Sequence, residues 1–205
     1  MIVLLDTSHG LSECADELGC NVGQLLTPLT RFRLRPETTV FAIDNGAYSH
    51  FERKAFESLL ATTKENRELC KFVACPDIVG DARRTLECFD LWQPKLHGWP
   101  VALVIQDGQE ALPIPWNRLQ AIFIGGSTDF KMSPAVRAII KTAQIFEKWV
   151  HVGRVNTPER FSYFEQLGAD SCDGSGISQF TEMRLAIKNR NQSPQIPLFE
   201  TERFD

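Results

Sequence analysis

VALVIQDG, residues Val101–Gly108, is a run of five apolar residues closed by Gln106, Asp107 and Gly108. Valine and isoleucine suit a β-strand, and the lack of polar alternation suits one buried on both faces of a parallel sheet. The same arrangement recurs in both directions along the chain. Upstream lie FVACPDIVGD (Phe72–Asp81) and FAIDNGAY (Phe41–Tyr48); downstream lie AIFIGGS (Ala121–Ser127), KWVHVGRVN (Lys148–Asn156) and GADSCDGSG (Gly168–Gly176). Each run stops in Asp, Asn, Gln, Gly or Arg. Carboxylates, an amide and glycines at successive strand ends are what a (β/α)8 barrel uses to build one pocket at the C-terminal mouth of its strands.

Strands are expected at Ile2–Leu5, Val40–Ile43, Phe72–Cys75, Ala102–Ile105, Ala121–Ile124, Trp149–Val152 and Ala169–Cys172, with Gln24–Leu29 a weaker eighth. Helical spacing fills the gaps. Val136, Ile139, Ile140, Ala143 and Phe146 form an apolar stripe over Pro134–Phe146, and Ser133 before Pro134 supplies the cap and first turn. Thr157-Pro158-Glu159 starts a second helix in the same way. Asp81–Leu96 repeats the pattern with Ala82, Leu86, Phe89 and Leu96. Alternation of this kind predicts an α/β fold, a trimmed (β/α)8 TIM-type barrel in one domain over residues 1–188. The polar, proline-containing stretch 189–205 reads as a C-terminal tail. No G-x-G-x-x-G follows the first strand, which removes the main support for a dinucleotide-binding sheet.

Composition sets limits. A chain of 205 residues, 43% hydrophobic, can bury a substantial core. No apolar stretch approaches the ~20 residues that cross a bilayer, so no membrane partner is expected. MIVLLDTSHG lacks a positive leader and is broken by Asp6, so it reads as a buried strand. The six cysteines form no C-x-x-C pair and lack zinc spacing. Free thiols in a reducing, cytoplasmic compartment are expected, with no metal and no cofactor. The net charge of −4 argues against a generally basic coat. A local nucleic-acid-binding track is expected against that background, made of Arg31, Arg33 and Arg35 between two strands, then Lys131 and Arg154.

In order and spacing these segments resemble the tRNA-guanine transglycosylase superfamily, and within it the short, phage-type relatives that place 7-deazaguanine bases in DNA. FAIDNGAY resembles the family's Asp-Ser-Gly-Gly-Phe strand end, with Asp44 on its aspartate and Asn45 beside it. FVACPDIV resembles the segment whose aspartate reads the base, which falls on Asp77. VIQDG resembles Val-Gln-Gly-Gly and puts Gln106 on the base-reading glutamine. IGGS resembles Ile-Gly-Gly-Leu, so Gly125 and Gly126 would offer backbone to the base. HVGRVNTPERF resembles Met-Gly-Val-Gly-Thr-Pro-Glu and places Val152 where an apolar side chain packs on the base. GADSCDG resembles Gly-Ile-Asp-Met-Phe-Asp-Cys, with Asp173 on the nucleophile. The chain is shorter than a full tRNA enzyme and has no counterpart of the zinc site that follows the nucleophile there, which favours DNA over tRNA.

The residue types suit base exchange on their own terms. Cleaving an N-glycosidic bond at C1′ with retention takes one carboxylate to attack and one group to move protons. Asp173 and Asp44 are the pair expected here. Asp77 accepts from the N–H groups of a guanine-like base, and Gln106 and the Gly126 N–H donate to its carbonyl. The target nucleotide in a duplex would be flipped into the pocket. The expected partners are DNA and a free 7-deazaguanine base; tRNA, a partner subunit for DNA contacts, and a non-catalytic nucleobase-binding role stay open as alternatives. Other polar residues read as structural: Asp170 on the opposite strand face, Asp81 as a helix cap, Asp107 as a loop residue, His151 as a satisfied core histidine, and the tryptophans as packing. His9, at the end of the first strand, is in reach of the mouth but is not assigned to it.

Overall fold

The structure, a computed structural model, describes residues 1–6, 10–30 and 33–192. Eight parallel strands close into a barrel in chain order: β1 Ile2–Leu5, β2 Val22–Leu26, β3 Phe41–Ile43, β4 Cys70–Ala74, β5 Val101–Ile105, β6 Ala121–Ile124, β7 Trp149–Val152 and β8 Ser171–Cys172. Strand β8 pairs with β1 and completes the ring. The chain is thus a (β/α)8 barrel in a single domain, as the strand-end pattern predicts.

The helices are α1 Leu11–Leu18, α2 Arg53–Thr63, α3 Ala82–Trp92, α4 Thr128–Lys131, α5 Pro134–Ile145, α6 Pro158–Gln166, α7 Ser175–Gln179 and α8 Thr181–Gln192. Their starts follow capping chemistry. The Ser133 hydroxyl accepts from the Val136 N–H at 3.3 Å, the Thr157 hydroxyl from Arg160 N–H at 3.2 Å, and the Asp81 carboxylate from Arg84 N–H at 3.0 Å. Helix α3 stops at Trp92 because Pro94 has no N–H to continue the ladder, and Gln93–Leu96 tightens into a 3-10 turn.

The trimming is specific. Among the described residues no α-helix links β2 to β3 or β5 to β6. Over β2 the outer face is covered by loop, pinned by the buried Gln24 side chain. Its amide donates to the Arg33 carbonyl at 2.8 Å and its carbonyl accepts from the Arg35 N–H at 3.0 Å. Between β5 and β6, Pro113 and Pro115 leave only two 3-10 turns.

Three expectations need correcting. Strand β2 starts at Val22 and ends at Leu26, not at Gln24–Leu29, because Val22 and Gly23 pair with β1 and Pro28 cannot join a ladder. Phe146 leaves the α5 stripe: the helix ends at Ile145, and Phe146 is exposed and stacks on Trp116 with centroids 5.5 Å apart. The boundary at 188 falls inside α8, which runs on to Gln192 and packs on α1 and α6; 193–205 lie outside the described residues.

Two cores result. Outward-facing strand residues such as Val3, Leu5, Ile43, Val73, Ile105, Ile124, Val152 and Cys172 pack against the helices. Inside the barrel, Leu4, Leu25, Ala42, Phe72, Ala74, Ala102, Val104 and Ala121 meet the partly buried Phe123 and Trp149. Alanines opposite phenylalanines fill this narrow interior without strain. Gly23 belongs to the same economy: a Cβ there would lie 2.6 Å from Val40 Cγ2 and 2.7 Å from the Val40 carbonyl.

A Gly23→Ala substitution should therefore cost about 1–3 kcal/mol, the usual range for overpacking. Gly176→Ala, where a Cβ meets nothing nearer than 3.7 Å in α7, should be neutral or stabilising by up to about 1 kcal/mol. Urea unfolding of the two variants checks the contrast, and equal losses would show that the interior is not close-packed at Gly23.

Candidate functional site

One step above the apolar interior, six of the eight strands present their next inward residue to the mouth: Asp6 after β1, Thr27 after β2, Asp44 after β3, Gln106 after β5, Gly125 after β6 and Asp173 after β8. These line a cavity of about 490 Å³ together with Asp77, Gly126, Lys131, Arg154 and Arg160. That is the size of an ordinary small-molecule site. Phe123, Val104 and Leu25 form its apolar floor.

Asp173 is held by two donors. Arg154 N–H reaches its Oδ1 at 2.9 Å, and His151 Nε2 lies 3.0 Å from its Oδ2. A carboxylate accepts only, so the proton on that imidazole nitrogen faces Asp173. His151 Nδ1 then meets the Ser171 hydroxyl at 2.9 Å, and Ser171 takes the Trp149 indole N–H at 2.8 Å. The chain Trp149–Ser171–His151–Asp173 runs up the barrel interior. The histidine is fully buried, between Phe72 and Phe123 at centroid distances of 4.7 and 4.6 Å. It is a satisfied core histidine, as expected, but one of its partners is the expected nucleophile.

Asp44 receives the Gly46 N–H at 3.2 Å. Burial, then repulsion from Asp173, pushes its carboxyl up to about 7. Asp77 is likewise raised by burial, against hydrogen bonds that stabilise its charge. Those bonds come from Asn45 Nδ2 at 2.8 Å and Gln106 Nε2 at 2.6 Å. Asn45 also donates to the Cys75 carbonyl, and the Gln106 carbonyl accepts from Gly80 N–H at 3.0 Å. Both amides thus orient Asp77. Gly126 has φ +74°, and a Cβ there would meet Asp107 Oδ2 at 2.5 Å, so this turn requires glycine.

Asp44, Asp77, Gln106, Gly125, Gly126 and Asp173 come together as expected, with Asn45 just behind. Val152 does not. It is fully buried in the outer core, because His151 points inward and the next residue must point out. Gly153 takes the inward place; a Cβ there would lie 2.6 Å from the Phe123 ring, so the apolar surface for a flat ligand is Phe123. The described members of the basic track are not brought together either. Arg33 and Arg35 are tied to the outer flank through Gln24, Arg31 lies outside the described residues, and Lys131 is 3% exposed within the pocket. Of its described members, Arg154 and Lys131 line the cavity and Arg33 and Arg35 do not. His9 lies outside the described residues. Two pocket groups were not singled out: Arg160, and Asp6, whose carboxyl is raised mainly by burial. Asp6 carried the same signal as the others, an apolar run ending in Asp. Among the described residues no cluster of three or more His, Cys, Asp or Glu could hold a metal ion, all six cysteines are free, and no helix is long and apolar enough to cross a membrane.

No family model and no curated protein sequence matches the chain. Solved structures do. Phosphoribosyl anthranilate isomerase from Thermus thermophilus is 17% identical over 93% of this chain and 97% of its own, with a TM-score of 0.50. The Amycolatopsis orientalis BexX/CysO complex is 13% identical over 92% and 86%, with a TM-score of 0.52. At such identities the likeness shows the barrel alone.

Asp44 binds its proton more tightly folded than unfolded, so its contribution to stability falls as pH rises from about 4 to about 7. Asp44→Asn, which cannot ionise, should match the parent near pH 4 and melt higher at pH 8, by roughly 2–4 °C for each kcal/mol released. Thermal melts at the two pH values check this; equal Tm differences at both would refute the raised carboxyl.

Proposed function

We propose that the chain is a nucleobase-exchange enzyme, a transglycosylase that replaces guanine in DNA with a 7-deazaguanine base through a covalent aspartyl-sugar intermediate. One observation carries the reading. A carboxylate fixed by two N–H donors, Asp173, shares a cavity with a carboxyl held near neutrality, Asp44. Pairs of carboxyl groups set apart by environment are how one site runs nucleophilic and acid chemistry together. The strand-end motifs that resemble the guanine transglycosylases fall on these same residues.

On this reading each residue has its step. Asp173 attacks C1′ of the target nucleotide, the C1′–N9 bond breaks, and its electron pair leaves with guanine. Asp44, protonated around neutral pH, gives its proton to the departing base. Asp44 then takes a proton from the incoming 7-deazaguanine as the new C1′–N bond forms and the bond to Asp173 breaks. Two inversions give retention. Asp77, oriented by Asn45 and Gln106, accepts from the N–H groups of the base's amide edge. The base lies over Phe123, close to the backbone of Gly125 and Gly126. His151 keeps the Asp173 oxygen in place without touching the sugar.

Incubation with labelled guanine and either guanine-containing duplex DNA or bulk tRNA tests the reaction and tells the two acceptors apart. Asp173→Asn should form no covalent adduct on denaturing gels. Asp44→Asn should still bind the free base yet slow exchange by about 10²–10⁴-fold, the usual worth of a positioned acid/base group. An ordinary adduct with Asp173→Asn would overturn the assignment.

A further inference from the structure

The cavity has a second wall that the base-exchange chemistry does not use. Lys131 closes α4, Arg154 follows β7, and Arg160 lies in the first turn of α6; all three line the cavity. Four carboxylates line it too, yet among the described residues none of the three cations forms an ion pair. Lys131 donates to the Gly153 carbonyl at 2.7 Å, and Arg154 donates to the Gly126 carbonyl and lies over the Tyr48 ring at 4.3 Å. Carbonyls and a ring position Lys131 and Arg154, while Asp173 and Asp107 lie near enough to offset part of the charge without forming an ion pair. Burial, then repulsion from Arg154, pushes the Lys131 ammonium down to about 8, with Arg160 adding to it.

Three neighbouring cations without an ion-pair partner repel one another, and an anion placed between them relieves that repulsion. The anion must offer several oxygens, because the donors are an ammonium and two guanidinium forks. Asp44 and Asp77, beyond the ends of β3 and β4, would repel it from their side of the cavity. We propose that Lys131, Arg154 and Arg160 bind a backbone phosphate of the substrate, the one flanking the nucleotide whose base faces Asp173 and Asp44. The assignment of that nucleotide rests on the base-exchange reading; the phosphate site does not. The two walls together set direction, with sugar and base toward the aspartates and phosphate toward the cations.

The test uses the full chain and two single-guanine oligodeoxynucleotides, read by fluorescence anisotropy. One carries ordinary phosphodiesters; the other has the linkages on either side of the guanine replaced by neutral methylphosphonates. The parent should bind the charged form about 10–100-fold more tightly, the worth of one or two charge-assisted contacts. Lys131→Met and the less buried Arg160→Gln should each shrink that gap while leaving affinity for the neutral form unchanged. Inorganic phosphate should compete with the charged form and not with the neutral one. Equal binding of both forms by the parent, or an undiminished gap in a folded Arg160→Gln, would overturn the site. Adduct formation by the same proteins separates the two readings: a gap without an adduct would refute base exchange alone, and an adduct without a gap would refute the phosphate site alone.

Discussion

Three rings packed inside the barrel, Phe72, Phe123 and His151, constrain everything above them. They block the interior, so the polar residues at the strand ends must gather on one side of that block. Alanines on the neighbouring strands leave them just enough room. His151 is the ring that also reaches upward. Its far nitrogen is anchored through Ser171 to Trp149 near the bottom of the barrel, and its near nitrogen sets Asp173. The packed floor and the reactive carboxylate are therefore one connected piece, and a site built on rigid elements holds its geometry better than one built on loops.

The same desolvation acts in opposite senses on the two sides of the cavity. It raises Asp6, Asp44 and Asp77 and lowers Lys131. Each shift favours the neutral form of its group, as burial must. The protein leaves the opposed charges unpaired and holds them with amides, backbone and a ring. That arrangement keeps both walls available to a polar, charged ligand, since internal salt bridges would have to break before anything could bind.

Much of this was legible in the sequence, and the failures share a cause. Continuous apolar runs such as VALVI and AIFI mark strands buried on both faces, and they located the barrel and most of its mouth. Such runs carry no alternation, so nothing in WVHVG says which residue points inward. The resemblance of HVGRVNTPERF points to Val152, and nothing in the run itself corrects it, yet His151 and Gly153 hold the inward positions. Asp6 shows the converse: its MIVLLD segment has the strand-end signature, but at a chain start the same apolar run also suits a leader, which masks the signal. Lys131 and Arg35 look alike as letters. Whether a basic side chain enters the mouth or lies on a flank depends on tertiary anchors, here the Gly153 carbonyl and the Gln24 amide, which a single sequence does not display.

Arg154 combines two demands at one position. Its backbone sits at φ +58°, a region that L-residues other than glycine enter at a cost of roughly 1–3 kcal/mol. That conformation aims its N–H at Asp173 while its guanidinium turns back over Tyr48. Glycine would relieve the strain and keep the N–H, but would discard the guanidinium. The position is therefore a trade-off between stability and activity held in a single codon. Selection for thermal robustness alone would erode the cationic wall at this position, just as it would strip the buried charge from Asp44.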